Sequence, residues 1–279
     1  MNITQKGNIM KENFKAGFIG CGNMGGALAG VAAKALGGER VLVTDHNLVK
    51  MAALSEKNGC ITSDAANIAG SCDFVVVGVK PQVLPDALRE IKEKLLAREN
   101  GSFALITMAA GIKISAIEEQ LGQVPVIRIM PNTPCACGEG VILYCSNNLV
   151  TEDMLEAFRR MFAPAGLLIS IAEAKIDAGS AVSGCGPAFV YMFIDALIDG
   201  GVRAGLPRAV AKNLAQQTVL GSAKYALDTG EEPAKLKADV CSPAGSTIEG
   251  VAVLEEYSFR SAVMEAVKAA FDRTAELGK

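Results

Sequence analysis

Three glycines at fixed intervals, Gly20, Gly22 and Gly25, stand directly after the apolar run Ala16–Ile19 and open the helix-forming stretch Met24–Leu36. A strand that must turn at once into a helix leaves the backbone few options. Gly20 permits the tight turn, Gly22 lets backbone approach a pyrophosphate, and Gly25 lets helix and strand pack closely. The first helical turn then offers unbonded N–H groups and the positive end of the helix dipole to an anion. Gly-x-Gly-x-x-Gly alone is a weak signal, since an ordinary strand–helix turn can also carry it. Its setting is more specific: a second apolar run, Arg40–Val43, is followed by Asp45, 20 residues after Gly25. That strand–helix–strand context predicts a dinucleotide site built on Gly20, Cys21, Gly22, Asn23, Met24 and Gly25. Asp45 would accept hydrogen bonds from the adenosine ribose, which favours NADH. Thr44, His46 and Asn47 could still hold a 2′-phosphate, with His46 or Lys50 supplying charge, so the residues leave NADPH and NADH both open.

The pattern around this turn extends it to a sheet. Further apolar runs at Phe74–Val79, Phe103–Thr107, Val126–Met130 and Leu167–Ile171 alternate with helical stretches, among them Val83–Ala97, Ile114–Leu121 and Glu152–Phe162. Runs without polar alternation are buried on both faces, which predicts a mostly parallel, doubly wound α/β sheet of Rossmann type. After Ile171 no strand run follows, and apolar residues recur at helical spacing. Pro187–Ile198 is apolar nearly all round, as in a helix central to a core or buried against another chain. The expected division is a dinucleotide-binding domain over 1–172, with 1–14 a polar leader, and an all-helical domain over 173–279.

Composition removes several classes of function. Lys+Arg 27 against Asp+Glu 30 gives a net charge of −3, and aromatics are 5% with no Trp, so neither phosphate neutralisation nor base stacking is favoured. Nucleic acid is not an expected partner. The longest purely apolar runs, such as Phe74–Val79 and Gly166–Ile169, are too short to span a bilayer, and the N-terminus lacks the apolar centre of a signal peptide. Eight scattered cysteines without a CxxC pair read as small buried hydrophobes in a reduced, cytoplasmic protein. Cys135-Ala-Cys137 has neither a nearby His nor a second pair, so no metal is expected.

His46 is the only histidine, and it sits beside the adenosine end of the cofactor. Dehydrogenases acting on alcohols commonly need an acid/base group near neutral pKa at the nicotinamide, and histidine cannot supply one there. A substrate needing little proton help fits better, such as an imine that enters already protonated. Several compact blocks remain: Val79-Lys80-Pro81; Met108-Ala109-Ala110-Gly111; Arg128-Ile129-Met130-Pro131-Asn132-Thr133-Pro134; Ser183-Gly184-Cys185-Gly186-Pro187; and Val240-Cys241-Ser242-Pro243-Ala244-Gly245-Ser246-Thr247. The last reads as a small-residue turn entering a helix, suited to a carboxylate, although a plain capped helix start has the same appearance.

Together and in this order, the blocks resemble the pyrroline-5-carboxylate reductase family from about Ala16 to the C-terminus. The resemblance implies a Rossmann domain followed by a helical dimerisation domain, with homodimers that assemble further into decamers. It implies reduction of the small molecule L-1-pyrroline-5-carboxylate to L-proline by NADPH or NADH, the last step of proline biosynthesis. It also places Thr44, Asp45 and His46 around the ribose, Val79, Lys80 and Pro81 along the cofactor's middle, and Met108, Ala109 and Ala110 at the nicotinamide. Asn132 and Pro131 would floor the reacting end. Ser242, Gly245, Ser246 and Thr247 would hold the substrate, with Thr247 on the ring nitrogen. Thr247 and Lys80 are the residues assigned to the reaction itself, although a lysine after a buried strand can simply extend to solvent. The chain departs from the family's usual residues at Ala244, Ser246, Cys185 and Met108. Two other readings carry different demands. A hydroxyacid or ketopantoate dehydrogenase needs a catalytic Lys or His from the helical half, whereas a non-catalytic dinucleotide sensor needs no carboxylate-binding turn.

Overall fold

The computed structural model describes residues 13–99 and 101–277. From Ala16 the chain alternates through β1 (Ala16–Ile19), α1 (Asn23–Leu36), β2 (Val41–Thr44), α2 (Leu48–Asn58), β3 (Ile61–Thr62), α3 (Ala65–Ser71), β4 (Phe74–Val77), α4 (Leu84–Leu96), β5 (Ala104–Thr107), α5 (Ile114–Leu121) and β6 (Val126–Pro131). After β7 (Gly140–Ser146), α6 (Glu152–Phe162) and β8 (Gly166–Ser170) the sheet has eight strands in the order β3-β2-β1-β4-β5-β6-β7-β8. All pairings are parallel except β6 with β7. The strand order reverses direction between β1 and β4. In a doubly wound sheet such a switch point opens a crevice at the carboxyl ends of the strands.

Unbroken apolar strands dictate this layering. In β4, Phe74 and Val76 pack into one buried cluster with Leu28, Phe158 and Phe162, while Val75 and Val77 pack into a second with Ile68, Leu88 and Ile91. Successive side chains thus serve opposite faces, each covered by helices. Phe14 corrects the expected leader at its last residue: it is buried and stands edge-on to Phe74 at 5.2 Å between ring centroids. Residues 1–12 of that stretch lie outside the described residues.

The sequence reading lacked β3 and β7; β7 carries the apolar run Val141–Cys145 and was passed over. β3 has two residues, both exposed, so it carries no apolar run. β7 follows Gly138, whose φ of +85° turns the chain back into the one antiparallel pairing.

The remaining chain is helical: α7 (Glu173–Ser183), α8 (Gly186–Arg203), α9 (Arg208–Thr229), α10 (Pro233–Asp239), α11 (Ser246–Glu256) and α12 (Phe259–Leu277). Cys185–Ala270 forms a compact unit by itself, and the rest of the described residues form the other. In the helical unit only Ile198, Ala211 and Ala215 make a buried apolar cluster, while Tyr191, Met192, Leu227 and Tyr257 are each at least 60% exposed. Among the described residues one segment, Glu173–Arg203, is long and apolar enough by length and composition to cross a membrane. Counting uninterrupted apolar runs misses it, because Asp195 and Asp199 break the run.

Candidate active site

The glycine turn adopts the geometry that its spacing demands. Gly20 has φ +92°, a region L side chains rarely occupy, and its N–H donates to the Thr44 carbonyl at 2.9 Å. A Cβ on Gly25 would collide with the Gly20 carbonyl oxygen, whereas one on Gly22 would meet nothing within 4 Å. Close packing at Gly25 and open space at Gly22 are the two conditions for a phosphate to reach the start of α1. That helix has no side-chain cap. Its first N–H groups, those of Asn23, Met24 and Gly25, have no carbonyl one turn back and are available to an anion.

Asp45 is placed differently from a free ribose acceptor. Its Oδ2 accepts the Cys21 N–H at 2.6 Å and its Oδ1 accepts the Asn47 N–H at 2.8 Å. The carboxylate therefore ties the glycine turn to the loop after β2 before any ligand arrives. Beside it the Cys21 thiol is buried, and burial, with the Asp45 charge adding, pushes it up to about 12. It stays neutral at physiological pH, so no thiolate opposes a phosphate there.

A cleft of about 760 Å³ lies beyond this turn, lined by Gly20, Gly22, Thr44, Asp45, His46, Val79 and Lys80 from the expected set. It is also lined by Leu48 and Met51 of α2, Ser63, Asp64 and Ala65 before and in α3, and Val83, Asp86, Ala87 and Glu90 around α4. Those on α2 and α3 were missed because these helices carry no strong apolar pattern, and those around α4 because a predicted helix does not by itself show which of its residues border the cleft. The cleft is of dinucleotide size, with the apolar side chains of Leu48 and Met51 and the positive charge of Lys80 among its walls. Met108, Ala109 and Ala110 follow β5 at the same carboxyl edge of the sheet, with Ala109 buried and its N–H 3.4 Å from Thr107 Oγ1.

Asn132, just after β6, is 7% exposed and its side chain is engaged through both its oxygen and its nitrogen. Oδ1 accepts the Val141 N–H at 2.8 Å, and Nδ2 donates to the Ser183 carbonyl at 2.9 Å. The sequence reading overlooked Arg128 in β6. It is 1% exposed and donates from one terminal nitrogen to Glu173 Oε1 at 3.4 Å and from the other to Asp177 Oδ1 at 2.8 Å. The signal was present: a lone arginine in an otherwise apolar strand must find carboxylates, and two stand one turn apart at the start of α7.

In the helical unit, the Gly245 N–H donates to the Ser242 carbonyl at 3.0 Å, closing a four-residue turn with Pro243 second and Ala244 third. Ala244 has φ +56°, as the third residue of a type II turn requires. Gly245 caps α11 without a side chain, and a Cβ there would collide with Ser242 Oγ. The Ser242 hydroxyl, the open helix start, Ser246 and Thr247 are thus gathered on one exposed turn. Because alanine is strained at φ +56° and glycine is not, Ala244→Gly should leave the turn intact and stabilise the protein by about 0.5 kcal/mol: about 1 kcal/mol of relieved strain, partly offset by the extra chain entropy of glycine. Calorimetry showing a lower Tm for the variant would contradict this.

Comparison with known proteins places these features in one family. Residues 173–277 match the family model described as pyrroline-5-carboxylate reductase dimerisation, and residues 15–111 match NADP oxidoreductase coenzyme F420-dependent. Pyrroline-5-carboxylate reductase of Arabidopsis thaliana is 40% identical over 274 residues, covering 97% of this chain and 98% of that one. The crystal structure of Plasmodium falciparum pyrroline carboxylate reductase with NADP bound superposes with a TM-score of 0.84 at 36% identity, over 96% of this chain and 99% of that one. The pyrroline-5-carboxylate reductase of Coxiella burnetii gives a TM-score of 0.87 at 32% identity, over 96% and 100%. With a glycine turn built for phosphate, a helical dimerisation segment and near full-length identity at this level, the chain belongs to the pyrroline-5-carboxylate reductase family.

Proposed function

We propose that this protein reduces L-1-pyrroline-5-carboxylate to L-proline, using NADPH or NADH, as the last step of proline biosynthesis. The observation that carries the reading is the Ser242–Thr247 turn. It presents a hydroxyl and an uncapped helix start, which suit a carboxylate, in a chain that also holds a dinucleotide-sized cleft. A sensor of dinucleotides would need only the cleft.

When bound, the cofactor supplies the hydride that adds to the imine carbon. The chain's own residues do the rest. N–H groups of Asn23, Met24 and Gly25 hold the pyrophosphate, and Lys80 adds a positive charge beside it. Val79 and Pro81 line the middle of the cofactor, while Met108, Ala109 and Ala110 back the nicotinamide. Thr44, Asp45 and His46 surround the ribose. Ser242 and the N–H groups of Ser246 and Thr247, presented by the Gly245 turn, bind the substrate carboxylate, the Thr247 hydroxyl bonds the ring nitrogen, and Asn132 and Pro131 floor the reacting end. Since the imine arrives protonated, no histidine is needed, and the rate gain comes from holding donor and acceptor in near-attack geometry, worth up to roughly 7–11 kcal/mol in ideal cases.

The helical unit buries too little apolar surface to stand by itself, so we assign its exposed face, including the span within Glu173–Arg203, to a second copy of the chain, with dimers assembling further into decamers. Light scattering at working concentration should give a dimer or a larger species; a monomer would contradict the assignment. All eight cysteines are free, which suits a reducing cytoplasm. The reaction is tested by incubating the pure protein with the imine and reduced cofactor and looking for L-proline. Its absence, with cofactor bound, would turn the reading to another imine or keto acid.

A further inference from the structure

We propose that Arg128 and Asn132 are positioning residues for the reduction, acting together as a two-point clamp that fixes α7 along β6. This rests on the reading under Proposed function. Arg128 holds the beginning of the helix through Glu173 and Asp177, and Asn132 holds its last residue through the Ser183 carbonyl. The spans match: the four steps from Arg128 to Asn132 cover about 13 Å at roughly 3.3 Å each, and the ten steps from Glu173 to Ser183 cover about 15 Å at about 1.5 Å each. Between the two points α7 is seated tightly. Ile176 and Ala181 are fully buried, and a Cβ on Gly179 would collide with Leu143 of β7.

Both clamp residues are buried polar groups with few ways to be satisfied elsewhere. Arg128 Nε has no partner among the described residues, so the guanidinium depends on its two carboxylates. Glu173 Oε1 is further fixed by the Ile114 N–H at 2.7 Å, which ties the start of α5 to the same point. The clamp ends at the carboxyl edge of the sheet, where Asn132 follows β6 and Met108 follows β5. It therefore holds Asn132 and its neighbour Pro131 at the edge of the sheet where the proposed function puts the reacting ring. Arg128, buried in the strand, acts on the reaction only through α7.

The test measures kcat and KM for L-1-pyrroline-5-carboxylate, cofactor Kd by NADPH fluorescence, Tm, and hydrogen exchange of the α7 amides. The variants are Asn132→Asp, Arg128→Lys and their double. Asn132→Asp keeps the acceptor for Val141 but sets a charged oxygen against the Ser183 carbonyl in place of the donor; Arg128→Lys keeps charge and loses the second arm. Each single variant should lower kcat/KM for the imine at least tenfold, speed exchange in α7, and leave cofactor Kd within twofold. The double should lose no more than about threefold beyond the worse single, because either loss frees the same helix. Wild-type kcat/KM in both singles, or multiplicative losses in the double, would overturn the clamp. If Arg128→Lys fails to fold, Asp177→Asn takes its place in the same cycle. Failure of the wild type itself to turn over the imine would be a failure of the proposed function, and would remove both.

Discussion

Gly25→Ala is expected to weaken NADPH binding by one to two orders of magnitude while the chain still folds. The added Cβ collides with the Gly20 carbonyl oxygen, which is backbone and cannot swing aside as a side-chain tip would. Gly20 is in turn fixed by its N–H bond to Thr44. The start of α1 must therefore move away from the turn, carrying with it the N–H groups of Asn23 and Met24. Forced repacking of this kind costs about 1–3 kcal/mol, and each 1.4 kcal/mol transferred to the binding step is about tenfold in Kd. A fluorescence titration with NADPH, alongside circular dichroism to verify the fold, measures it. Wild-type Kd in a folded variant would show that the turn is not the phosphate cradle.

The second large effect falls on the other half of the chain. Thr247→Ala should lower kcat with L-1-pyrroline-5-carboxylate by about 10–100-fold, the range for losing a hydrogen bond to a charged group at about 1.5–3 kcal/mol. Cofactor affinity should stay near wild type, because the proposed role of Thr247 is to the substrate's ring nitrogen and not to the cofactor. Thr247→Ser keeps the hydroxyl and should recover most of the rate. Equal turnover by the alanine variant would remove Thr247 from the mechanism and leave orientation to the carboxylate contacts alone.

The two variants divide the chain along the line at which it was most and least readable. The glycine turn, the fully buried strands β1, β4, β5 and β6, and helices α5 and α6 follow from local rules: apolar runs without alternation, helical spacing and the geometry of glycine. Asn47 and Asp64, whose side chains cap α2 and α3 by accepting from Lys50 and Asn67 N–H groups, show that those helices also had local starts, but their weak apolar patterns hid them. β7 carries a readable apolar run, Val141–Cys145, whereas its antiparallel direction depends on the reversal at Gly138. The site shows the same division. The phosphate-facing backbone could be read from spacing, whereas the double engagement of Asp45 and the Arg128 pairing depend on long-range partners, Cys21 in one case and Glu173 and Asp177 in the other. No local pattern encodes those distances. The helical unit was legible as helix but not as a packed body, because most of its apolar side chains are exposed in the single chain and await a partner copy.

Imine reduction is tested by following NADPH and NADH absorbance in parallel as L-1-pyrroline-5-carboxylate is added to the pure protein. At least one cofactor should be oxidised rapidly with stoichiometric L-proline, and the faster one settles the preference that Asp45, engaged by Cys21 and Asn47, leaves open. Binding of both cofactors without oxidation of either would contradict imine reduction.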